Sequence, residues 1–192
     1  HPYDAIVDLI KKRKWESLNI GLEMDTHYFT AYSYKKLLDG LPDAKLIDSE
    51  RLVNWVRVVK SDAEIDLMKK ASVITEIGMK KAFECIKPGV RQNDAVSEIT
   101  GALIRGTKDF GGEYSSIVPL LPTGKGTSAS HLTWSDAKFV EGEATIIEVS
   151  GVYKRYHCPM ARTVLLGKPD QKKIDTMKKT IEALHAGIDV TK

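Results

Sequence analysis

The sequence has few cysteines, no long apolar runs and little excess charge of either sign. Its two cysteines, Cys85 and Cys158, have neither a metal-ligand spacing nor a disulfide framework, so a reducing cytoplasm is the expected setting. No apolar stretch is long enough to span a bilayer, and no segment has the layout of a signal peptide, so no membrane partner is expected. Lysine and arginine number 29 against 26 acidic residues, a net charge of +3. The basic residues sit beside acidic ones in helical segments, so there is no basic stripe of the kind that binds nucleic acid. The one basic run, Lys11-Lys12-Arg13-Lys14, reads as the solvated end of an amphipathic helix. Internal repeats and low-complexity tracts are also missing.

What is there is an ordinary globular composition: 192 residues, 42% hydrophobic and 29% charged, enough for one substantial core or two small ones. The chain opens on His1-Pro2 directly before a helical pattern and stops at Lys192 just after another, without a start methionine. It is expected to be a fragment.

Hydrophobic periodicity divides the chain. Ala5, Ile6, Leu9 and Ile10 share a helical face. Leu18 to Leu22 reads as a buried strand, Thr30 to Leu38 as a helix and Ala44 to Ile47 as a strand. This alternation predicts a small α/β unit. A boundary follows at Arg57 to Ser61, where Ser61 and Glu64 have capping-box spacing, so a helix should start there. Leu67, Ala71, Ile74, Gly78 and Ala82 give that helix one face, and Pro88-Gly89 ends it. A second helix is predicted over Asp94 to Arg105 with Gly106 as its stop. Ser115 to Leu121 is short and apolar. Ala144 to Tyr153 and Tyr156 to Leu166 are strands of a predicted hairpin turning at Lys154-Arg155. A last helix starts near Asp170, with Ile174, Met177, Ile181, Leu184 and Ile188 at helical spacing.

Within the hairpin, Glu148 lies in the mostly apolar run Thr145-Ile146-Ile147-Glu148-Val149. An unpaired carboxylate buried there would cost several kcal/mol, so it sits either on a wet face or at a site that uses it. The second strand carries Tyr156, His157, Cys158 and Arg162-Thr163, and Arg162 is a candidate partner that would keep Glu148 ionised; an ion pair with another carboxylate is the alternative. His131 closes the Gly/Ser/Thr loop that starts at Thr123 and precedes Leu132-Thr133-Trp134. An imidazole at a loop end can move a proton near neutral pH, or it can be an ordinary surface histidine. Gly124-Lys125-Gly126-Thr127-Ser128 lacks the full phosphate-loop pattern and opens no obvious helix.

Taken in order, these segments resemble a known family. Arg57 to Ile65 is similar to the domain-junction signature of creatinase/aminopeptidase proteins of peptidase family M24. Ile147-Glu148-Val149-Ser150-Gly151, Tyr156 to Thr163 and Leu166-Gly167-Lys168-Pro169 resemble the family's two-strand segment. The resemblance implies an α/β (α+β) chain: residues 1–60 as the end of a creatinase-like N-terminal domain, and residues 61–192 as the first half of a pita-bread catalytic domain. In metallopeptidase members each strand supplies an aspartate to a metal pair. Those positions are Glu148 and Pro159 here, and proline offers no side-chain donor, so no dinuclear centre, no other metal site and no cofactor are expected.

Phe110-Gly111-Gly112-Glu113-Tyr114, Ser130 to Trp134 and Arg155 to Pro159 resemble the ectoine hydrolase branch of the family more narrowly. That resemblance implies metal-free C–N hydrolysis of a small-molecule cyclic amidine, giving an acetylated diaminobutyrate. Glu148 would be nucleophile or base, and His131 the proton carrier on the creatinase precedent. Trp134, Tyr156, His157 and Arg162 would shape or charge-balance the substrate pocket. Family membership further implies a homodimer. The competing readings are a metal-dependent Xaa-Pro peptidase and a non-catalytic binding member; by itself the fragment is expected to be inactive.

Overall fold

The computed structural model describes residues 1–191, which fall into two compact units, His1–Lys60 and Ser61 onward. In the first unit, helices α1 (Pro2–Lys12), α2 (Ala31–Gly40) and α3 (Leu52–Val58) alternate with strands β1 (Asn19–Leu22) and β2 (Lys45–Asp48). The two strands pair in parallel, Asn19 opposite Lys45 and Leu22 opposite Asp48. A parallel pair needs a crossover, and α2 supplies it. Thr30 caps α2 by accepting a hydrogen bond from the Ser33 amide at 3.1 Å. Val7, Leu37 and Leu41 form the small core, with Ile20, Leu22 and Leu46 packed against it. The sequence does not announce α3: its N-cap residue Arg51 makes no side-chain capping bond and has a positive φ, and the carboxylate that accepts from the Val53 amide at 2.6 Å comes from distant Glu23.

The second unit opens with α4 (Asp62–Cys85), started by the predicted capping box. The Ser61 hydroxyl accepts from the Glu64 amide, and the Glu64 carboxylate accepts from the Ser61 amide at 2.7 Å. Helix α5 (Gln92–Arg105) packs on α4 and stops at Gly106, whose φ is +60°. Strands β3 (Ala144–Tyr153) and β4 (Tyr156–Leu165) form an antiparallel hairpin, followed by α6 (Gln171–Asp189). The hairpin turns on Lys154 and Arg155, both at positive φ, as a two-residue turn between right-twisted strands requires. Alternate residues of β3, among them Thr145, Ile147 and Val149, are buried. Ile147 and Val149 pack with Ile74 of α4 and with Ile99, Leu121 and Phe139 in one core. This face of the hairpin belongs to the helices, and Glu148 and Ser150 point the other way.

Candidate active site

Glu148 is held by its backbone on the edge of β3 away from β4: its amide donates to the Leu120 carbonyl and its carbonyl accepts from the Leu120 amide, both at 3.0 Å. Both of its polar backbone groups therefore face Leu120, and across the hairpin Glu148 meets Ala161 in the close, non-hydrogen-bonded type of pair. Further along, Thr123 bridges to Thr145, and the Ile146 amide donates to the Pro122 carbonyl. Residues 120–123 thus run beside β3 as a partial third strand.

Extending that register would set Ser116 opposite Val152. Instead the Glu113 amide donates to the Val152 carbonyl at 3.0 Å, so the segment is out of step by three residues, 113 against 116. The surplus chain bulges between the two anchors, with Ile117 57% and Val118 51% exposed. It crosses β3 far enough to reach β4, where the Ser116 amide donates to His157 Nε2 at 3.1 Å. Val152, on the same face as Glu148, is buried. The bulge encloses a cavity of about 140 Å3 lined by Ser115, Ser116, Ile117, Val118, Glu148, Val149, Ser150, His157 and Pro159. Through Ser115, Ile117, Val118 and Ser150 it adjoins a groove of about 620 Å3 that Val96, Ile104, Tyr114 and Trp134 also line.

The predicted site residues are only partly brought together. Glu148 and His157 line the same cavity, with Pro159 opposite Ser150, and Trp134 lines the adjoining groove. Buried Gln92 fixes the stretch after Trp134 by accepting from the Ser135 amide and hydroxyl at 2.8 and 3.1 Å. Arg162 does not meet Glu148, contrary to the sequence expectation. It pairs with Ile147 in the register, and side chains alternate between the faces of a strand, so it projects from the opposite face. Its guanidinium donates to the Ala161 carbonyl at 2.7 Å. Tyr156 also lies on the helix face, and its hydroxyl donates to Glu64 of the capping box at 2.7 Å, so it braces α4 and does not line the cavity. His131 is exposed on its loop with a φ of +60° and lines neither cavity nor groove. The sequence reading passed over Ser116 and Ser150; a surplus of chain between Glu113 and Leu120 shows only once both anchors on β3 are known.

Comparison with known proteins places this geometry. Residues 66–192 match the model of metallopeptidase family M24, and residues 1–59 match the creatinase/prolidase N-terminal domain. The chain belongs to family M24. This M24 chain is 43% identical to the ectoine hydrolase of Halomonas elongata, an alignment covering all of the chain and 50% of that relative. It is 22% identical to the Xaa-Pro dipeptidase of Pyrococcus furiosus, over 99% of the chain and 51% of that protein. The X-Pro aminopeptidase of Thermotoga maritima superposes with a TM-score of 0.82 at 20% identity, covering 94% of the chain and 49% of that structure. The chain thus spans about half the length of the relatives it matches, and its mixed helix and strand architecture is that of the pita-bread proteins.

The family is named for metallopeptidases, so the donors of this M24 chain need testing against a metal. Glu148 is, among the described residues, the one carboxylate lining the cavity, and Pro159, which also lines it, offers no side-chain donor. Among the described residues, no three or more His, Cys, Asp or Glu side chains are grouped so as to hold a metal ion. These residues do not fit a dinuclear centre.

Proposed function

We propose that the protein containing this chain hydrolyses a C–N bond of a small cyclic amidine, ectoine, with Glu148 as its central catalytic group. The observation that carries this reading is the 43% identity to an ectoine hydrolase along the whole chain. The cavity adds a chemical reason. Its lining holds one carboxylate and no lysine or arginine, and Arg162 faces away. An acidic cavity without a lysine or arginine suits a cationic ligand, and a protonated amidine is one.

In the proposed reaction, Glu148 attacks the amidine carbon, or takes a proton from the water that does. The carbon becomes tetrahedral, one C–N bond breaks, the departing nitrogen gains a proton and leaves as an amine, and the other nitrogen keeps the acyl carbon as an acetamide. When Glu148 is the nucleophile, breaking the C–N bond leaves the carbon joined to the Glu148 oxygen and to the retained nitrogen as an O-acyl imidate, and the acetamide forms only when water adds to that carbon and the Glu148 carboxylate departs. Proton delivery to the departing nitrogen is assigned to His131 from the family resemblance. In that role its exposed loop has to close on the cavity, whereas His157 has both ring nitrogens engaged.

The test is Glu148→Gln in the intact protein, with ectoine ring opening followed by the appearance of the acetamide methyl signal. Loss of activity by at least about a hundredfold is expected, since removing a general base or nucleophile costs that much or more. Near-normal turnover would sink the assignment. The fold-level neighbours are Xaa-Pro peptidases. Chelator-sensitive cleavage of an Xaa-Pro dipeptide, with ectoine untouched, would establish that reading instead.

A further inference from the structure

The neighbours of His157 select one tautomer of its neutral imidazole. Nε2 faces the Ser116 amide at 3.1 Å, and a backbone N–H can only donate, so Nε2 must carry a lone pair. In the neutral ring the proton then sits on Nδ1, which lies 3.1 Å from the Arg155 carbonyl and donates to it. The Ser116 hydroxyl, 3.0 Å from Nε2, adds a second contact to the same lone pair. The ring therefore ties the crest of the bulge to the hairpin turn, leaving neither nitrogen free for substrate. The other end of the bulge is fixed separately. The Arg155 amide donates to the Glu113 carboxylate at 3.1 Å, and the Arg155 guanidinium lies 3.5 Å from that carboxylate and 4.2 Å from the centre of the Tyr114 ring.

Without the His157 contact, nothing in the register holds residues 115–118 over β3. They are surplus to the ladder, and Ile117 and Val118 have no core to enter. We propose that His157 is a positioning residue, acting through Ser116. It latches the 115–118 bulge over Glu148, so that Ile117 and Val118 form the apolar wall that admits a compact ligand to the carboxylate. The latch makes substrate binding, not proton transfer, the step that depends on His157. In its choice of ligand this inference rests on the ectoine reading above.

The experiment compares His157→Ala and His157→Gln in the intact protein, with ectoine as the kinetic probe and amide hydrogen exchange across residues 113–120 as a readout independent of substrate. Glutamine places its carbonyl oxygen near the Nε2 position and can accept from Ser116, but it cannot carry a proton between groups. His157→Ala is expected to raise KM by roughly tenfold, with kcat within about threefold of wild type, as loss of one hydrogen bond that orders a binding wall predicts. It should also speed exchange at Ser116, and His157→Gln should restore both. A fall in kcat that glutamine does not rescue would overturn the latch and make the imidazole a proton carrier. Unchanged KM and unchanged exchange in His157→Ala would overturn it as well. If the wild-type protein leaves ectoine untouched, the ectoine reading fails alone. Exchange then decides the latch: faster exchange at Ser116 in His157→Ala, reversed by glutamine, supports it, and equal exchange overturns it.

Discussion

Thr75 shows how one hydroxyl joins helix to hairpin beneath the candidate site. It is completely buried on α4, accepts from the Gly151 amide at 2.8 Å, and directs its single proton at the Ala71 and Cys158 carbonyls, 3.0 and 2.5 Å away. The approach is close because residue 151 is glycine: a Cβ there would lie 2.5 Å from the Ala71 oxygen and from the Thr75 nitrogen. Gly151 and Cys158 are partners in the register, one step from Ser150 and Pro159, so the contact sets where the cavity floor lies. Thr75→Val keeps the shape but removes the buried hydroxyl's bonds to the Gly151 amide and to the Ala71 and Cys158 carbonyls. It should destabilise the intact protein by about 2 kcal/mol, and Thr75→Ser by much less. Urea unfolding with an unchanged denaturant slope is the measurement, and a Val variant as stable as wild type would show that the hydroxyl contributes nothing net.

Among the elements, α6 offers a clean test of a capping charge. Asp170 accepts from the Lys173 amide at 2.8 Å. That backbone bond, with help from the Lys173 ammonium, holds the carboxyl below its ordinary value of 3.8. A lowered carboxyl favours the folded helix as the anion. The contribution is therefore complete above the ordinary value and disappears as the pH falls through the lowered one. Asp170→Asn keeps a good cap without the charge. Helicity of α6 in the variant should match wild type near neutrality and show less acid loss below about pH 4, as followed by circular dichroism; parallel acid curves would remove Asp170 as the cause. Caps of this kind were legible beforehand: Ser61 with Glu64, Gly106 and the Lys154-Arg155 turn all stand where local rules put them. The face of Arg162 was legible too, and was misread. A two-residue turn sets Tyr153 opposite Tyr156, which carries Glu148 to Ala161 and puts Arg162 on the other side. The bulge and its His157 latch were not legible, because they depend on a lateral pairing between segments about 30 residues apart. Periodicity along one segment carries no record of such a pairing.

Across the whole molecule, the burial pattern separates a finished core from unfinished faces. Ile74, Ile99, Leu121, Phe139 and Ile147 are almost wholly buried, whereas Met177, Ile181, Leu184 and Ile188, the apolar stripe of α6, are 39 to 59% exposed. Helix α3 shows Leu52, Val53, Trp55, Val56 and Val58 to solvent in the same way. Isolated exposed apolar residues are common, but a continuous stripe at helical spacing is the pattern of a face that packs against something. The relatives that this chain matches are about twice its length. The 192-residue chain by itself should therefore bind a hydrophobic dye and self-associate at micromolar concentration, with a broad thermal transition. Replacing Ile181 and Leu184 by lysine should lower dye binding and association, and leave the melting temperature within about 2 °C, because neither side chain contributes to the buried core. Sedimentation velocity and a thermal melt of both forms are the measurements. A drop of 5 °C or more would mean that the α6 stripe already packs within the chain, in which case the exposed faces would not explain its association.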